Sequence, residues 1–545
     1  MSGGASFALT GARVYTGDPR RPWARSLAVE DGVLTDLGEE PETARTRAGV
    51  DLDGAFVMPG FVDVHNHHAV AGRAELFELT FPPEAGVDEI LAAVSARAAE
   101  LPGDAWITGG SWGSGLLDLL NRSETLARLD AASAGRPVAL SDDSHHNRWV
   151  NSAAMAAAGL ESDSEQPDTA LRDPVNGTLT GVLLESAGLA VMAAHERAAP
   201  LTAAQHEACS AHGVARLNRF GITAFQDAAT SLRALEALHA LDERDELHAW
   251  VVASMPVSDE TFGTSPVGAE LIARGEEFRT RHHRPDFVKV FLDGVPPART
   301  GAFLEPYLPD AVHGAHHRGE TILGPAELYS ALSHAAERNL GAKVHCTGDA
   351  SVRLALDTVA RLRREGFADT PFQIAHGQFV AEDDIPRLGD LGVSADISPF
   401  LWYPGVIPDA IASVLPAERA RRMQPNRSLI DSGALVAGGS DWPVSASPNP
   451  WLGIQGLVTR ADPTGTVPGA LWPEQAITLP EAIAVFTANA AAAMGLGAVT
   501  GTLAPGRSAD FVVLDRDPFA APIDTLADTR VLQTWFAGRC VFEAE

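Results

Sequence analysis

Two histidines separated by one residue end an apolar segment near the start of the chain. His65 and His67 belong to the run MPGFVDVHNHH, shortly after Pro59 and Gly60. Residues two positions apart on a β-strand point to the same side, so both imidazoles can bind one metal ion. A bound divalent ion activates water for hydrolysis. An isolated pair with this spacing often has no function, but its place at the end of an apolar strand favours a metal site.

Four more residues of ligating or charged type occupy equivalent places along the chain. Lys289 lies within the apolar run FVKVFL, His345 ends AKVH, His376 ends FQIAH, and Asp441 follows VAGGS. A histidine at a strand end is by itself more often a satisfied polar group than a ligand. A lysine inside an apolar strand is more informative, because burying an unpaired ammonium group costs free energy. Together with the histidine pair, these four residues predict a metal-dependent site at the ends of several strands.

The elements that position these residues follow a regular alternation of apolar runs and helical stretches. The runs that we interpret as strands are residues 56–65, 222–227, 248–255, 286–294, 341–348, 372–377, 393–398 and 434–441. Continuous apolar strands that alternate with helices predict a parallel sheet that is covered on both faces. Eight of them predict an α/β fold, a distorted (β/α)8 TIM barrel with its active site at the carboxyl ends of the strands.

The two ends of the chain and one long internal region differ from this alternation. Short β-rich runs with tight turns occur in the first sixty and the last fifty residues, which predicts a small β-sandwich domain built from 1–56 and 500–545. The barrel then occupies 57–499. Residues from about 70 to 220 separate the first two barrel strands by more than a crossover needs, so we expect an inserted α/β subdomain there, placed like a lid.

Composition excludes several classes of protein. The chain has 545 residues, with 41 Lys and Arg against 71 Asp and Glu, for a formal charge of −30. Such an acidic chain is not expected to bind nucleic acid. Three distant cysteines and the lack of a signal-peptide pattern predict a cytoplasmic protein. The uncharged stretch 482–506 follows a capping box at Thr478 and predicts a packed helix of about four turns, too short to span a membrane.

Long ordered motifs make the chain similar to a known family. It resembles the metal-dependent amidohydrolase superfamily, and within it the amidohydrolase-3 branch that includes N-substituted formamide deformylases. The segments that carry the resemblance are PGFVDVHNH (59–67), HNRWVNSAAMAAAGL (146–160), GITAFQDA (221–228), FVKVFLDGVPPARTGAFLEPY (287–307), VHCTGDASVRLALD (344–357), IAHGQFVAEDDIPRLGDLGV (374–393), GGSDWPV (438–444), FTANAAAAMGLG (486–497) and GTLAPGRSADFVVLDRDP (501–518). They cover essentially the whole chain.

The resemblance implies a role for each residue of the set. One or two divalent ions are expected, most plausibly Zn²⁺, with Mn²⁺, Fe²⁺ and Co²⁺ as alternatives. Asp441 would also be the general base that takes a proton from water and returns it to the leaving nitrogen. The implied metal ligands are His65, His67 and Asp441 for the more buried ion, His345 and His376 for the second, and Lys289 between them.

Lys289 has two alternative roles. Related enzymes carry a carboxylated lysine that bridges two metals at this position, and burial favours the neutral amine that carboxylation needs. An unmodified lysine would instead hydrogen-bond beside a single ion. The sequence leaves both alternatives open.

Substrate contacts are expected outside the metal ligands. His146, within a family motif, either polarises the substrate carbonyl as a second catalytic residue or caps the helix that begins near Asn151. Trp112, in GGSWGSG, and Trp402, after the seventh strand, are further candidates for substrate binding. Cys346 follows a ligand directly and is expected to point into the core. Asp293 is expected to hold the turn after its strand.

The sequence therefore predicts a metal-dependent hydrolase that cleaves a C–N bond of a small molecule, most plausibly an N-formyl or N-acyl amide. A cyclic-amide or imidazolone hydrolase, or a deaminase, is the alternative on the same barrel. A barrel that only binds a ligand is the alternative from another class. Nucleic acid and membranes are not expected as partners, and a homodimer is a family-level expectation.

Overall fold

A computed structural model gives the structure of the protein, and it describes residues 6–38, 49–160, 169–258 and 265–545. The strands within these ranges are, in chain order, β1 (Phe7–Thr10), β2 (Arg13–Tyr15), β3 (Trp23–Ala24), β4 (Ser26–Glu30), β5 (Val33–Gly38), β6 (Gly49–Asp51), β7 (Phe56–Pro59), β8 (Phe61–Asn66), β9 (Leu79–Thr80), β10 (Ile107–Trp112), β11 (Val138–Asp142), β12 (Arg148–Val150), β13 (Ala170–Arg172), β14 (Leu179–Leu183), β15 (Ile222–Asp227), β16 (Trp250–Pro256), β17 (His283–Phe291), β18 (Gly341–Cys346), β19 (Phe372–His376), β20 (Val393–Ile397), β21 (Val436–Gly438), β22 (Phe511–Leu514), β23 (Val531–Phe536) and β24 (Arg539–Glu543).

The α-helices of the same ranges cover the sheets. They are α1 (His68–Phe77), α2 (Val87–Glu100), α3 (Leu117–Leu120), α4 (Ser123–Ala132), α5 (Ser152–Ala157), α6 (Leu189–Ala198), α7 (Ala203–Arg219), α8 (Leu232–Glu243), α9 (Gly268–Arg274), α10 (Pro325–Glu337), α11 (Asp349–Arg364), α12 (Ile385–Asp390), α13 (Val406–Val414), α14 (Ala417–Ala420), α15 (Asn426–Asp431), α16 (Pro450–Thr459), α17 (Leu479–Val485) and α18 (Ala488–Ala493).

The central sheet confirms the predicted barrel. Its eight strands lie in the order β21-β20-β19-β18-β17-β16-β15-β8, and all neighbours in it are parallel. Each of the eight predicted runs overlaps one of these strands, and β8, β16 and β17 extend beyond the predicted bounds. The run 56–65 overlaps both β7 and β8, since Gly60 separates these two strands. A side chain at Gly60 would collide with Thr223, which explains why glycine stands at this break.

The barrel closes through individual bonds between its first and last strands. Among the described residues, no strand ladder joins β8 to β21. The backbone N–H of Asp441 donates to the carbonyl of His65 at 2.6 Å, and Ser440 donates from its backbone and its hydroxyl to the Asp63 carboxylate. A Cβ atom at Gly439 would lie 2.5 Å from the His65 Cβ. Close backbone approach at this seam therefore sets His65 and Asp441 side by side.

Strands from both chain ends form two smaller sheets. One has the order β5-β4-β1-β6, and the other has the order β24-β23-β22-β7-β2-β3. Apolar residues from both ends of the chain, among them Leu27, Val57 and Phe511, are buried in one cluster between them. The fold thus includes the predicted small β-domain. Because β7 continues into β8, this domain is joined directly to the strand that carries His65.

The chain forms a third sheet between β8 and the second barrel strand, β15, in the sequence. Its order is β13-β14-β12-β11-β10-β9, with parallel pairing among β9 to β11 and antiparallel pairing in the rest. Helices α2 to α6 belong to the same part of the chain. This arrangement is the predicted inserted α/β subdomain, and it has an apolar core of its own.

The helix predicted after Thr478 is in fact two short helices. The capping box of Thr478 and Glu481 begins α17, but the chain leaves the helical conformation at Thr487, where φ is −139° and ψ is −97°. The carbonyl of Phe486 instead accepts a hydrogen bond from the Val62 N–H of β8 at 2.8 Å. This long-range bond replaces a helical one. No helix within the described ranges is long and apolar enough to cross a membrane.

Candidate metal centre

The structure brings the six predicted ligands to one end of the barrel. They come from the carboxyl ends of β8, β17, β18 and β19 and from the loop after β21. One cavity is lined by all six and by His146 of the insertion. Parallel strands make this convergence possible, because their carboxyl ends meet at the same rim. The residues that line it together are His65, His67, His146, Lys289, His345, His376 and Asp441.

The Asp441 carboxylate lies at the centre of this group. Its Oδ1 is 3.5 Å from His65 Nε2 and 3.4 Å from His67 Nε2, and its Oδ2 is 3.8 Å from His376 Nδ1. One ligand atom each from His65, His67 and Asp441 all lie within 4.8 Å of one another. Three donors at this separation can bind a single ion between them.

The donor atoms fit a divalent metal ion. His65 Nε2 is buried and has no hydrogen-bond partner among the residues that the structure describes. A buried nitrogen without a partner is unfavourable, and a metal ion would satisfy it. Burial, together with the charge of Lys289, holds the pKa of His65 well below its usual range. The imidazole is therefore neutral, the form that binds metal.

A second group of donors lies beside the first. The ring of His376 is 4.7 Å from that of His65 and 4.6 Å from that of His345. His345 Nε2 is 3.2 Å from the carbonyl oxygen of Gly294, to which its N–H can donate. That bond leaves Nδ1 of His345 for an ion. Burial holds the pKa values of His345 and His376 well below their usual range, so both rings are neutral as well.

Lys289 lines the cavity that both groups share. The residue is 1% exposed. Burial and the nearby charge of Lys343 lower its pKa to about 8. A lower pKa increases the fraction of neutral amine, which is the form that carboxylation requires. The carboxylated state stays a prediction.

His146 lines the cavity from the insertion, with its ring 5.1 Å from the ring of His345. Its Nδ1 lies 2.7 Å from Glu185 Oε2, and Glu185 Oε1 accepts a hydrogen bond from the Thr300 hydroxyl at 2.7 Å. Burial by itself lowers the pKa of His146, but the Glu185 carboxylate outweighs it, and the net shift is upward. The helix-cap alternative is wrong, because Asn151 accepts the N–H of Ala154 and caps α5.

Glu185, Lys343 and Asp396 are site residues that sequence reasoning missed. The Nδ1 of His65 lies 2.7 Å from Asp396 Oδ2, and Lys343 donates to the same oxygen. The sequence does not show which of these residues contact each other, because Asp396 is 331 residues from His65. The charged positions of Lys343 and Asp396 inside apolar strands were the signal that could have found them.

Trp112 and Trp402 correct the predicted substrate contacts. Trp112 is fully buried in the core of the insertion, where its indole N–H donates to the Leu140 carbonyl at 3.1 Å. Trp402 is also fully buried, with the Arg460 guanidinium 3.8 Å from its ring centre. Both anchor their local structure and are absent from the cavity wall, as far as the structure describes it. Apolar side chains nearby form that wall instead.

The cavity wall contains both polar and apolar residues. Among the polar ones are Ser114, Ser144 and Asp143, and the Asp143 carboxylate accepts bonds from both the backbone N–H and the hydroxyl of Ser114. The apolar ones include Leu401, Ile407, Ile411, Val295, Pro296 and Val444. Ile407 and Ile411 are four residues apart on α13 and so lie on one helix face. The cavity can therefore hold an apolar group next to the metal ligands.

Two other predictions concern buried residues near the rim. Asp293 holds loops, as expected: its carboxylate accepts backbone N–H groups from Ala302, Thr347 and Gly348. Cys346 is fully buried, as expected.

Comparison with known proteins places the chain in a family. The sequence profile of the amidohydrolase family matches residues 48–542. The chain belongs to this family. It is a metal-dependent hydrolase that acts on carbon–nitrogen bonds, as the resemblance in the sequence predicts.

Two relatives are named for the reaction that they catalyse. N-substituted formamide deformylase from Arthrobacter pascens is 26% identical over 560 residues, which covers 98% of each chain. An imidazolonepropionase from Bdellovibrio bacteriovorus is 34% identical over 93 residues, 17% of this chain and 19% of its own. Among solved structures, a metal-dependent hydrolase from Pyrococcus horikoshii OT3 has a TM-score of 0.73 at 21% identity and covers 95% of this chain and 99% of its own.

Proposed function

We propose that this amidohydrolase hydrolyses the amide bond of a small molecule that carries an apolar substituent, most plausibly an N-formyl or N-acyl amine. The observation that carries the proposal is one cavity lined by the predicted ligands, by His146 and by several apolar side chains. The N-substituted formamide deformylase of Arthrobacter pascens supports the amide class, at 26% identity over nearly the full chain.

The site residues divide the work of hydrolysis. His65, His67 and Asp441 would hold one divalent ion, and His345 and His376 would hold a second, with Lys289 between them. Zinc suits this set of nitrogen and oxygen donors best. When bound, the ion supplies Lewis acidity, which activates water and polarises a carbonyl group. Asp441 accepts a proton from the attacking water and passes it to the leaving nitrogen, as general base and then general acid.

His146 adds a residue of the insertion to the site. The Glu185 carboxylate 2.7 Å from Nδ1 fixes the ring, so that Nε2–H is directed away from Glu185. A donor in this position stabilises the negative charge that develops on the carbonyl oxygen. The raised pKa of His146 favours this donor role, because the protonated ring has an N–H on both nitrogens.

The apolar residues of the cavity wall are the reason for proposing that the amide carries an apolar substituent. Leu401, Ile407 and Ile411 are close enough to the metal ligands to line the same cavity. Burying an apolar group against them gains about 25 cal/mol per Å². A short acyl group, such as formyl, would leave most of that wall for the amine substituent.

A cyclic-amide hydrolase is the second candidate. The 93-residue match to an imidazolonepropionase, at 34% identity, favours it. A deaminase is less well supported, because Lys289 lines the cavity at the position where deaminases of this superfamily typically lack a lysine.

A substrate panel tests the proposal. The zinc-loaded protein is incubated with N-formyl and N-acetyl hexylamine, with formamide as the compound that lacks an apolar group, and with an imidazolone. Release of the primary amine or opening of the ring is measured. We expect hexylamine release that is faster for the formyl compound and abolished by Asp441→Asn. Hydrolysis of the imidazolone alone would favour the second candidate, and hydrolysis of none of them by a zinc-loaded protein would overturn the proposal.

A further inference from the structure

A buried pair of opposite charges, Lys343 and Asp396, lies next to the predicted ligand His65. Lys343 on β18 and Asp396 on β20 are 0% and 1% exposed. Their side chains meet inside the barrel, where the Lys343 ammonium donates to Asp396 Oδ2. The same oxygen lies 2.7 Å from Nδ1 of His65, which is itself 0% exposed. We propose that Lys343 and Asp396 are a positioning pair that fixes the ring of His65 for metal binding.

The hydrogen bond to Asp396 determines which nitrogen of His65 faces the ion. Neutral imidazole has one N–H and one lone pair. A carboxylate oxygen only accepts, so Nδ1 must carry the hydrogen. The lone pair is then on Nε2, which is the atom 3.5 Å from Asp441 Oδ1 and without a hydrogen-bond partner in the described part of the chain. Asp396 thus sets both the tautomer and the orientation of the ring.

Lys343 keeps the Asp396 carboxylate in this position. A buried carboxylate beside a neutral imidazole alone would be an uncompensated charge in the barrel interior, which is unfavourable. The ammonium supplies that compensation and also fixes where the shared oxygen lies. Because both side chains are buried, removing either one would leave the charge of the other uncompensated. The two residues therefore act as a unit.

The location of His65 explains why such a device is needed. His65 is on β8, an edge strand of the central sheet, and among the described residues no ladder joins β8 to β21. Asp396 is on β20, beyond β21, so its bond to His65 crosses this seam. A ligand on an interior strand is held by two neighbouring strands. His65 lacks one of these, and the bond to Asp396 replaces part of that constraint.

This inference rests on the metal centre of the proposed function, and it is tested by metal affinity rather than by amide hydrolysis. Zinc is removed from the full-length protein, and the dissociation constant is measured by competition with a chromophoric chelator. Asp396→Asn removes the charge at constant size. The double variant Lys343→Met with Asp396→Leu replaces the pair by apolar side chains of similar volume, which buried ion pairs often tolerate.

Asp242→Asn is the matched control. Asp242 forms the same kind of carboxylate–histidine bond at a partly buried position, with its Oδ1 2.6 Å from His282 Nδ1. His282 lies just before β17, at the amino end of that strand and away from the metal ligands. Asp242→Asn therefore alters a bond between a carboxylate and a histidine without changing any residue near the predicted metal ligands. We expect its zinc affinity to equal that of the wild type.

The expected results separate positioning from a merely structural role. Removing a carboxylate that orients a ligating histidine typically weakens metal binding about 10- to 100-fold. We expect this loss in the double variant, together with a changed visible spectrum of the Co²⁺-substituted protein and a melting temperature close to that of the wild type. A smaller loss in the same direction is expected for Asp396→Asn.

Two results would overturn the inference. One is wild-type zinc affinity in either folded variant. The other is an equal loss of affinity in Asp242→Asn, which would show that any lost buried bond has this effect. If the double variant does not fold, Asp396→Asn decides. A wild-type protein that binds no zinc would refute the proposed metal centre itself, and that failure is seen before any variant is made.

Discussion

Removing the Glu185 side chain should slow hydrolysis without removing metal. Glu185 touches none of the predicted ligands, since its two oxygens bond His146 Nδ1 and the Thr300 hydroxyl. In Glu185→Ala, His146 loses the group that fixes its ring and raises its pKa. The ring can then turn, and its N–H is no longer held toward the substrate carbonyl. We therefore expect kcat to fall while bound zinc stays at the wild-type level.

The size of the effect follows from the bond that is lost. The His146 and Glu185 side chains are 8% and 10% exposed, so solvent screens their bond only weakly. A hydrogen bond to a charged group contributes about 1.5–3 kcal/mol. Each 1.36 kcal/mol is a factor of ten in rate, so kcat should fall by about 10- to 150-fold. Thr300→Val is the matched control: it removes the Thr300 hydroxyl, and with it the other bond to Glu185 and the bonds to the Val295 backbone, but keeps the bond between Glu185 and His146. We expect less than about a threefold loss.

A double-mutant cycle on the best amide of the substrate panel checks the reasoning. If Glu185 acts through His146, Glu185→Ala should have almost no effect in a His146→Ala background. Zinc content is measured for every variant by atomic emission. The reasoning is refuted if Glu185→Ala slows the His146→Ala enzyme as much as it slows the wild type. It is also refuted if the loss of activity follows a loss of zinc.

Three further predictions concern other parts of the molecule. Lys289→Ala should lower kcat at least about tenfold and reduce bound zinc, and partial recovery on adding propionate, measured by rate, would distinguish a carboxylated lysine from a plain one. Trp112→Phe should leave KM unchanged and lower the free energy of unfolding by at least about 1 kcal/mol, because it removes the bond to Leu140 and part of a buried ring in the insertion core; a changed KM would contradict this. Burial raises the pKa of Asp242, but bonds from His282 and its neighbours outweigh burial and hold it at about 2. Because this pKa is depressed, the stabilisation is present above the ordinary pKa near 3.8 and is lost as the pH falls towards 2. Asp242→Asn should cost about 1 kcal/mol at pH 7, after discounting for solvent screening, and the difference from the wild type in urea unfolding should narrow below pH 4.

Local pattern was sufficient for the barrel and for the residues that meet at its rim. All eight predicted apolar runs overlap a barrel strand, because strands that are buried on both faces are mostly apolar. The residues at the rim stood out for a related reason. Charged or polar residues at the ends of such strands conflict with burial unless they serve a site, and His345, His376 and Asp441 stand out against their apolar neighbours.

Predictions that depended on the direction of one side chain were less successful. Trp112 and Trp402 lie in segments near the rim, but both turn into protein cores. Large aromatic side chains can anchor a loop or contact a ligand, and the sequence has the same appearance in both cases. The long helix after Thr478 also failed, because the carbonyl of Phe486 bonds to β8 instead of continuing the helix.

The sequence by itself determined the alternation of strands and helices, the residues that meet at the barrel rim and the family, since these depend on spacing and residue type within short segments. The tertiary structure alone decided which groups hold the ligands in place. Asp396 reaches His65 across 331 residues of chain, and Glu185 joins His146 to Thr300. Such pairs form only when the barrel closes and the insertion packs on its rim. The strength of these interactions depends on the burial of the two groups and on the distance between them. Neither quantity can be predicted from a short segment of sequence.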